Sequence, residues 1–180
     1  WLVMVREPLQ SCESWIAPFF KNGDYKNISA RIVSMLLTVD DILYTHPPAV
    51  GVRLEDLKIR PRQTIAAVCK WMNIAEQDSL YEMTVQGKKW WGDPTSPNYS
   101  RDGMHPFGLS SIERNVGGIF SPNDQFIFET LFAPFKAAFG YEQDAMTDFR
   151  QRIKFVRPLM DKMFDFEKKL IERNSLDIYT

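Results

Sequence analysis

An arginine followed closely by hydroxyl side chains is the clearest chemical signal in the sequence, in the segment Val5-Arg6-Glu7-Pro8-Leu9-Gln10-Ser11-Cys12-Glu13-Ser14. The apolar run before it predicts a short parallel-type strand, and Pro8 suits the first position of a helix. In open α/β sheets ligands bind beyond the carboxyl ends of the strands, where a guanidinium can hold a phosphate through two parallel hydrogen bonds. We therefore predict an anion site at Arg6. A solvated charge or an ion pair with Glu7 is the competing interpretation.

Two adjacent carboxylates, Glu55 and Asp56, follow a second short strand predicted at 51–54. Such a pair can serve as a general acid and base, but acidic residues before a helix more often accept hydrogen bonds from its free amides. We favour capping of a helix that begins at Pro61. His46 and His105 each precede a proline, with no second histidine or cysteine at ligand spacing, so no metal site is predicted.

The glycine-rich stretch from Gly87 to Gly118 is predicted to be a long loop, and it contains Lys88-Lys89-Trp90-Trp91. Indole faces bind the apolar faces of sugars, and adjacent lysines attract anionic ligands. Anchoring of the loop by its tryptophans is the simpler interpretation, and we favour it.

Composition limits the classes of function. The chain has 180 residues, 44% of them hydrophobic, which is enough for one compact core. Its 22 basic and 23 acidic residues give a net charge of −1, so no overall field favours nucleic acid or an anionic membrane surface. No apolar run approaches the ~20 residues that cross a bilayer. We expect a soluble, cytoplasmic protein whose two cysteines, Cys12 and Cys69, are free and buried.

The elements that must position Arg6 alternate along the chain. A strand at 2–5 is followed by helices at 8–20 and 28–44, a strand at 51–54 and a helix from Pro61. This order predicts an α/β fold with a parallel sheet flanked by helices. Ser121-Pro122-Asn123-Asp124 predicts a further helix start, since it combines a capping hydroxyl, a proline and an acidic residue.

Three segments resemble the sulfotransferases that use 3′-phosphoadenosine 5′-phosphosulfate. In that superfamily the 3′-phosphate motif is a strand ending in Val-Arg-acidic-Pro with a serine eight positions after the arginine, and Arg6 and Ser14 have this spacing. Val52-Arg53-Leu54-Glu55-Asp56-Leu57, continuing through Pro61 to Asn73, resembles a second family segment, although Leu54 stands where tyrosine often contacts the adenine. The segment from Ile127 to Tyr141 resembles the final helix of carbohydrate-type members.

The resemblance implies a P-loop-NTPase-like sulfotransferase fold without its N-terminal phosphate-loop half. Residues 1–142 would form the C-terminal part of the sulfotransferase domain and residues 143–180 a helical extension. Arg6 and Ser14 would bind the 3′-phosphate; Ser11 lies closer by local geometry, but the family pattern favours Ser14. Arg101 or Arg114, in the loop that the family folds over this phosphate, would supply a second cationic contact.

The implied function is transfer of a sulfuryl group to an acceptor hydroxyl, with a carbohydrate as the favoured acceptor. The family's phosphate loop and catalytic base precede the strand that begins here, so the catalytic residues stay unassigned and residues before Trp1 are expected. No Gly-x-x-x-x-Gly-Lys-Ser/Thr pattern occurs in the chain. The alternative function is a non-catalytic interaction module with a sulfotransferase-like fold.

The segment from Asp144 to Thr180 carries an apolar stripe that needs a packing partner, at Phe149, Ile153, Val156, Met160, Met163 and Phe164. We favour packing of this stripe against the chain's own domain. A second subunit of a homo-oligomer, or the missing N-terminal half, is the alternative.

Overall fold

The computed structural model describes residues 1–41, 50–89, 105–113, 115–142 and 146–178, apart from the side chains of 89 and 175–178. These residues form two compact units, one made of Trp1–Gly51 with Asn115–Thr180 and the other of Val52–Arg114. The predicted division into residues 1–142 and 143–180 stays a prediction. None of the described helices is both long and apolar enough to cross a membrane.

The first unit is mainly helical. Its elements are β1 (Leu2–Val5), α1 (Pro8–Lys21), α2 (Tyr25–Val39), α5 (Pro122–Ala138), α6 (Phe149–Val156) and α7 (Asp165–Ile178), and β2 (Val50–Arg53) begins in it. β1 and β2 form a two-stranded parallel sheet, in which the Val50 amide donates to the Trp1 carbonyl over 2.8 Å. The prediction of helices flanking a parallel sheet is confirmed at this level, and the sulfotransferase fold stays a prediction.

The described residues of the second unit form two helices and a hairpin. These elements are α3 (Leu54–Ile59), α4 (Pro61–Met72), β3 (Thr84–Val85) and β4 (Lys88–Lys89), with 3-10 turns at Asp78–Tyr81 and Leu109–Ser111. α4 ends at Asn73, whose φ of 55° lies in the left-handed region that stops a helix. β3 and β4 form a short antiparallel pair, and β4 lies at the start of the stretch from Gly87 that was predicted to be loop.

The core of the first unit lies between α1, α2, α5 and α7. Its buried side chains are Leu9, Cys12, Ile16, Ile28, Ile32, Ile119, Phe120, Phe128, Phe132, Phe166 and Leu170. Aromatic contacts join its elements, since the ring of Phe128 lies 4.7 Å from that of Phe120 and 5.4 Å from that of Phe164. Phe166 and Leu170 therefore bury part of the C-terminal segment within this unit, while Met160 and Met163 stay exposed.

A buried carboxylate fixes the starts of two helices. Asp124 is 0% exposed, and its Oδ2 accepts hydrogen bonds from the amides of Ser121 (3.1 Å) and Phe166 (3.0 Å). Its Oδ1 accepts a third, from the Asp165 amide (2.9 Å). The Ser121 hydroxyl accepts from the Asp124 amide, so the predicted capping box of α5 is present. The same side chain thus holds the first turn of α7 against that of α5.

Two smaller constraints fix β2 and α1. A Cβ on Gly51 would lie 2.1 Å from the Phe139 ring, so only glycine fits at this approach of β2 to the end of α5. The buried carboxylate of Glu13 accepts from the amides of Gly117 and Ile119, each over 2.9 Å. These bonds tie α1 to the segment that leads into α5.

The first prediction concerns the shared cap. Asp124→Asn should lower the free energy of unfolding by roughly 3 kcal/mol, because the amide nitrogen would face donors and leave buried amides without an acceptor. Urea unfolding followed by circular dichroism measures the change. Asp161→Asn, on an exposed aspartate, is the matched control and should stay within about 0.5 kcal/mol of the parent. Equal losses in the two variants would contradict the role of Asp124.

Candidate functional site

Arg6 lies directly after β1, where the chain turns into α1. Glu7 is the N-cap residue of α1, and its Oε2 accepts a hydrogen bond from the Gln10 amide over 2.6 Å. Pro8 occupies the first helical position, where a missing amide proton costs nothing. The Gln10 side chain in turn accepts from Arg6 Nη2 over 2.8 Å. Gln10 therefore orients the guanidinium at the carboxyl end of the strand.

A cavity of about 180 Å³ opens beside this guanidinium. It is lined by Met4, Val5, Arg6, Pro8, Ser11, Met35, Thr38, Val39 and Phe135. The wall is mostly apolar, and its polar side chains are one guanidinium and the hydroxyls of Ser11 and Thr38. The Thr38 hydroxyl donates to the Ser34 carbonyl over 2.7 Å, so its proton is not available to an anion in the cavity. The Arg6 guanidinium and the Ser11 hydroxyl are the side-chain groups of this wall that can donate hydrogen bonds to a tetrahedral oxyanion.

The structure describes two of the four predicted site residues, Arg6 and Ser14. Arg6 and Ser11 line the cavity together, whereas Ser14, half-buried in the next turn of α1, is not one of its lining residues. Arg101 and Arg114 lie outside the described residues, as do His46, Trp90 and Trp91. The assignment of Arg6, Ser14, Arg101 and Arg114 to a cofactor stays a prediction.

Leu54 and the neighbouring acidic pair belong to the second unit, where they begin α3. Asp56 accepts from Arg53 Nε over 2.6 Å and from an Arg60 guanidinium nitrogen. The hydrogen bond from Arg53, together with that from Arg60, holds the pKa of the Asp56 carboxyl below its ordinary value. α4 begins without a side-chain cap. The prediction that Asp56 caps α4 is therefore wrong, because two guanidinium groups occupy its oxygens.

A group of four charged side chains that no sequence pattern indicated includes Glu7 and Lys136, the chain neighbours of cavity-lining residues. The Lys136 ammonium contacts carboxylate oxygens of Glu129, Glu142 (3.3 Å) and Glu7 (3.8 Å). Burial by itself lowers the pKa of Lys136, but its hydrogen bond to Glu129 and the other carboxylates raise it overall. Removal from water raises the pKa of Glu7 above its ordinary value, against the opposing effect of the Gln10 amide. We call these four residues the Lys136 cluster.

Glu13, Asp124 and Lys136 were all missed as buried charged residues. One signal was present for Glu13, since it falls at helical spacing among Leu9, Cys12 and Ile16 on the apolar face of α1. A charge at such a position indicates a buried hydrogen-bonding role. Asp124 was recognised as a cap of its own helix, but its bonds to residues 165 and 166 depend on tertiary packing.

Neither histidines nor metal ligands gather in the described part of the chain. His105 is exposed, and its Nδ1 accepts from the Phe107 amide over 3.2 Å. Among residues 1–41, 50–89, 105–113, 115–142 and 146–178, no group of three or more His, Cys, Asp or Glu side chains is placed to hold a metal ion.

Comparison of the chain with protein families, with curated proteins and with solved structures finds no match in any of the three.

The second prediction concerns the pH dependence of stability. The pKa of Glu7 is higher in the folded chain than its ordinary value, so its contribution to stability is largest at low pH and is lost as the pH rises through the folded value. Glu7→Gln keeps an oxygen to cap α1 but does not titrate. Its stability relative to the parent should therefore increase as the pH rises above about 4. Urea unfolding at several pH values measures this trend.

Glu82→Gln, on an exposed glutamate in the second unit, is the control and should show no such trend. If the difference between Glu7→Gln and the parent is the same at every pH, the proposed effect of burial on Glu7 is wrong.

Proposed function

We propose that this chain binds the 3′-phosphate of 3′-phosphoadenosine 5′-phosphosulfate and takes part in transfer of its sulfuryl group to an acceptor hydroxyl. The observation that carries the proposal is the cavity at the carboxyl end of β1, where Arg6 is oriented by Gln10 and Ser11 adds a hydroxyl to the wall. The resemblance of three segments to the sulfotransferase superfamily supports the same ligand. A carbohydrate is the favoured acceptor, because one of those segments resembles carbohydrate-type members.

The size of the cavity favours one phosphate group over a whole nucleotide. Sites that enclose drug-sized ligands occupy about 300–1,000 Å³, and this cavity has about 180 Å³. A phosphate would enter it with its oxygens toward Arg6, and the nucleoside would remain outside. An arginine suits this role because its planar guanidinium donates two parallel hydrogen bonds to one oxyanion.

The start of α1 contributes little to anion binding, because its amides already have acceptors. The Gln10 amide donates to the Glu7 carboxylate, and the Ser11 amide donates to the Glu7 carbonyl over 3.0 Å. The phosphate must therefore be held by side chains. Ser11 is the serine of α1 that lines the cavity. We accordingly propose Ser11 as a hydroxyl contact in place of Ser14, which the family pattern favours.

The residues of this chain would bind and orient the donor. The donor supplies the activated sulfuryl group, and Arg6 would neutralise charge at the opposite end of the nucleotide, away from the reacting sulfur. Binding energy gained there positions the donor for transfer, as in phosphoryl-transfer enzymes. Arg101 and Arg114 remain proposed second cationic contacts. No residue of the chain is proposed as the catalytic base.

The third prediction tests nucleotide binding through thermal stability. Adenosine 3′,5′-bisphosphate should raise the melting temperature of the chain, since a ligand at 100 times its Kd stabilises the folded state by about 2.7 kcal/mol. Arg6→Met should weaken binding by about 10- to 100-fold, because charge-assisted hydrogen bonds are lost. Arg157→Met, which removes a cation from an exposed 3-10 turn, is the control and should bind like the parent.

No change in the melting temperature at millimolar nucleotide would overturn the proposal and favour the non-catalytic interaction module. A stabilisation that Arg6→Met does not reduce would place the nucleotide elsewhere.

The fourth prediction separates the two serines. Ser11→Ala should weaken binding of the bisphosphate by about threefold to tenfold, the loss of one hydrogen bond to a charged group, and Ser14→Ala should change it by less than about twofold. Titration calorimetry on the two variants gives both affinities. The reverse order would show that the phosphate lies along α1 beside Ser14, as the family pattern implies.

A further inference from the structure

A second arginine of the first unit is held against aromatic rings. The Arg31 guanidinium lies over the Trp15 ring at 4.4 Å from its centroid and 5.3 Å from that of Phe19. Arg31 is half-buried on α2, while the two aromatic residues belong to α1. Stacking of this kind fixes the plane of the guanidinium and leaves its edge of N–H donors free to bind.

This arginine lies on the helix pair that forms the cavity beside Arg6. α1 and α2 are joined by a turn at residues 22–24 and pack against each other. Ser11 and Met35 line the cavity, and Trp15 and Arg31 are each four residues from one of them, on the same helix face. Four residues correspond to about 6 Å of helical rise. The stacked guanidinium is therefore one helical turn from the cavity along the α1–α2 pair.

The acidic residues of this helix pair lie at the helix ends or are turned away from Arg31. Glu7, Asp24 and Asp40 are cap residues, and Glu13 is the one acidic residue within α1 and α2. The Glu13 carboxylate is buried and points to the amides of Gly117 and Ile119. Within the part of the chain that the structure describes, no carboxylate forms an ion pair with Arg31. Its charge is thus not neutralised by the protein residues described around it.

We propose that Arg31, held by Trp15 and Phe19, is a second anion-binding group that contacts a phosphate, sulfate or carboxylate of a ligand seated at the Arg6 cavity. The inference rests on the proposed function for the identity of the nucleotide. Holding the guanidinium in place beforehand reduces the side-chain entropy lost on binding. A bound oxyanion would accept two hydrogen bonds from the N–H groups at the edge of the Arg31 guanidinium.

Two sources can supply this second anion. One is the 5′ end of the nucleotide whose 3′-phosphate lies at Arg6, and the other is an acidic group on the acceptor. Adenosine 3′-phosphate and adenosine 3′,5′-bisphosphate differ only in the 5′-phosphate, so their comparison tests the first source. A sulfated disaccharide and its unsulfated form test the second.

The experiment measures the affinities of these four probes by titration calorimetry at constant ionic strength. The variants are Arg31→Met, which keeps an apolar chain over the indole, and Lys26→Met, which removes an exposed charge from the same helix. Arg31→Met should weaken binding of the bisphosphate or of the sulfated disaccharide by about tenfold. It should leave adenosine 3′-phosphate within about twofold, and Lys26→Met should leave all probes within about twofold. Melting curves confirm that both variants fold.

Each outcome decides the inference. Loss of affinity for the bisphosphate alone assigns Arg31 to the 5′ end of the nucleotide, and loss for the sulfated disaccharide alone assigns it to the acceptor. If Arg31→Met changes neither while Arg6→Met abolishes nucleotide binding, the inference is overturned and the proposed function stands. If no nucleotide binds but the sulfated disaccharide binds through Arg31, the proposed function fails and the second site remains. Equal losses in Arg31→Met and Lys26→Met, or no binding of any probe, overturn the inference.

Discussion

The hydrogen bonds of the Asp124 carboxylate are the constraint on which the first unit depends most. The side chain is fully buried, and it is surrounded by backbone amides from two helix starts that are about forty positions apart in the sequence. A buried carboxylate without such donors would destabilise the fold by several kcal/mol. Because it has them, the first turns of α5 and α7 have one fixed relative position, and the aromatic contacts of Phe120, Phe128 and Phe166 follow from it.

The candidate site depends on the same kind of interaction at a second place. Glu13 joins α1 to the segment before α5, so the helix that follows Arg6 cannot rotate without breaking bonds to buried amides. The Lys136 cluster joins the N-cap residue of α1 to the end of α5. Buried polar groups that have hydrogen-bond partners favour one structure over alternatives that would leave them unsatisfied. The rigidity needed to aim one guanidinium at a small cavity comes from these contacts.

The sequence was sufficient to predict those strands and helices that are specified by residues close together in the chain. The strand before Arg6, the helix begun by Pro8 and the capping box at Ser121 depend on residues within one turn of each other, and all three are present. The helix predicted at 28–44 lies at Tyr25–Val39, an error at the ends where capping by Asp24 decides the start. α3 was missed because its six residues are too few for a periodic pattern.

The candidate site was predictable only in part, for the same reason. Arg6 could be identified from a strand end followed by a helix start. The choice between Ser11 and Ser14 depends on which side of α1 faces α2. The stacking of Arg31 on Trp15 joins residues of different helices, and no spacing in the sequence indicates it. Contacts of this kind follow from the packing of the helix pair, which the sequence specifies only through the whole core.

Each of the two units contains one buried cysteine, whose reactivity reports how often that unit opens. Cys12 lies in the core of the first unit, where burial, with the nearby carboxylates of Glu13 and Glu7, raises the pKa of its thiol to about 12. Cys69 is buried on α4 of the second unit. Since only an accessible thiolate reacts readily with alkylating reagents, each thiol is modified at the rate at which its surroundings open. The modification rates of the two thiols therefore report the opening of the two units separately, in one protein and without an introduced cysteine.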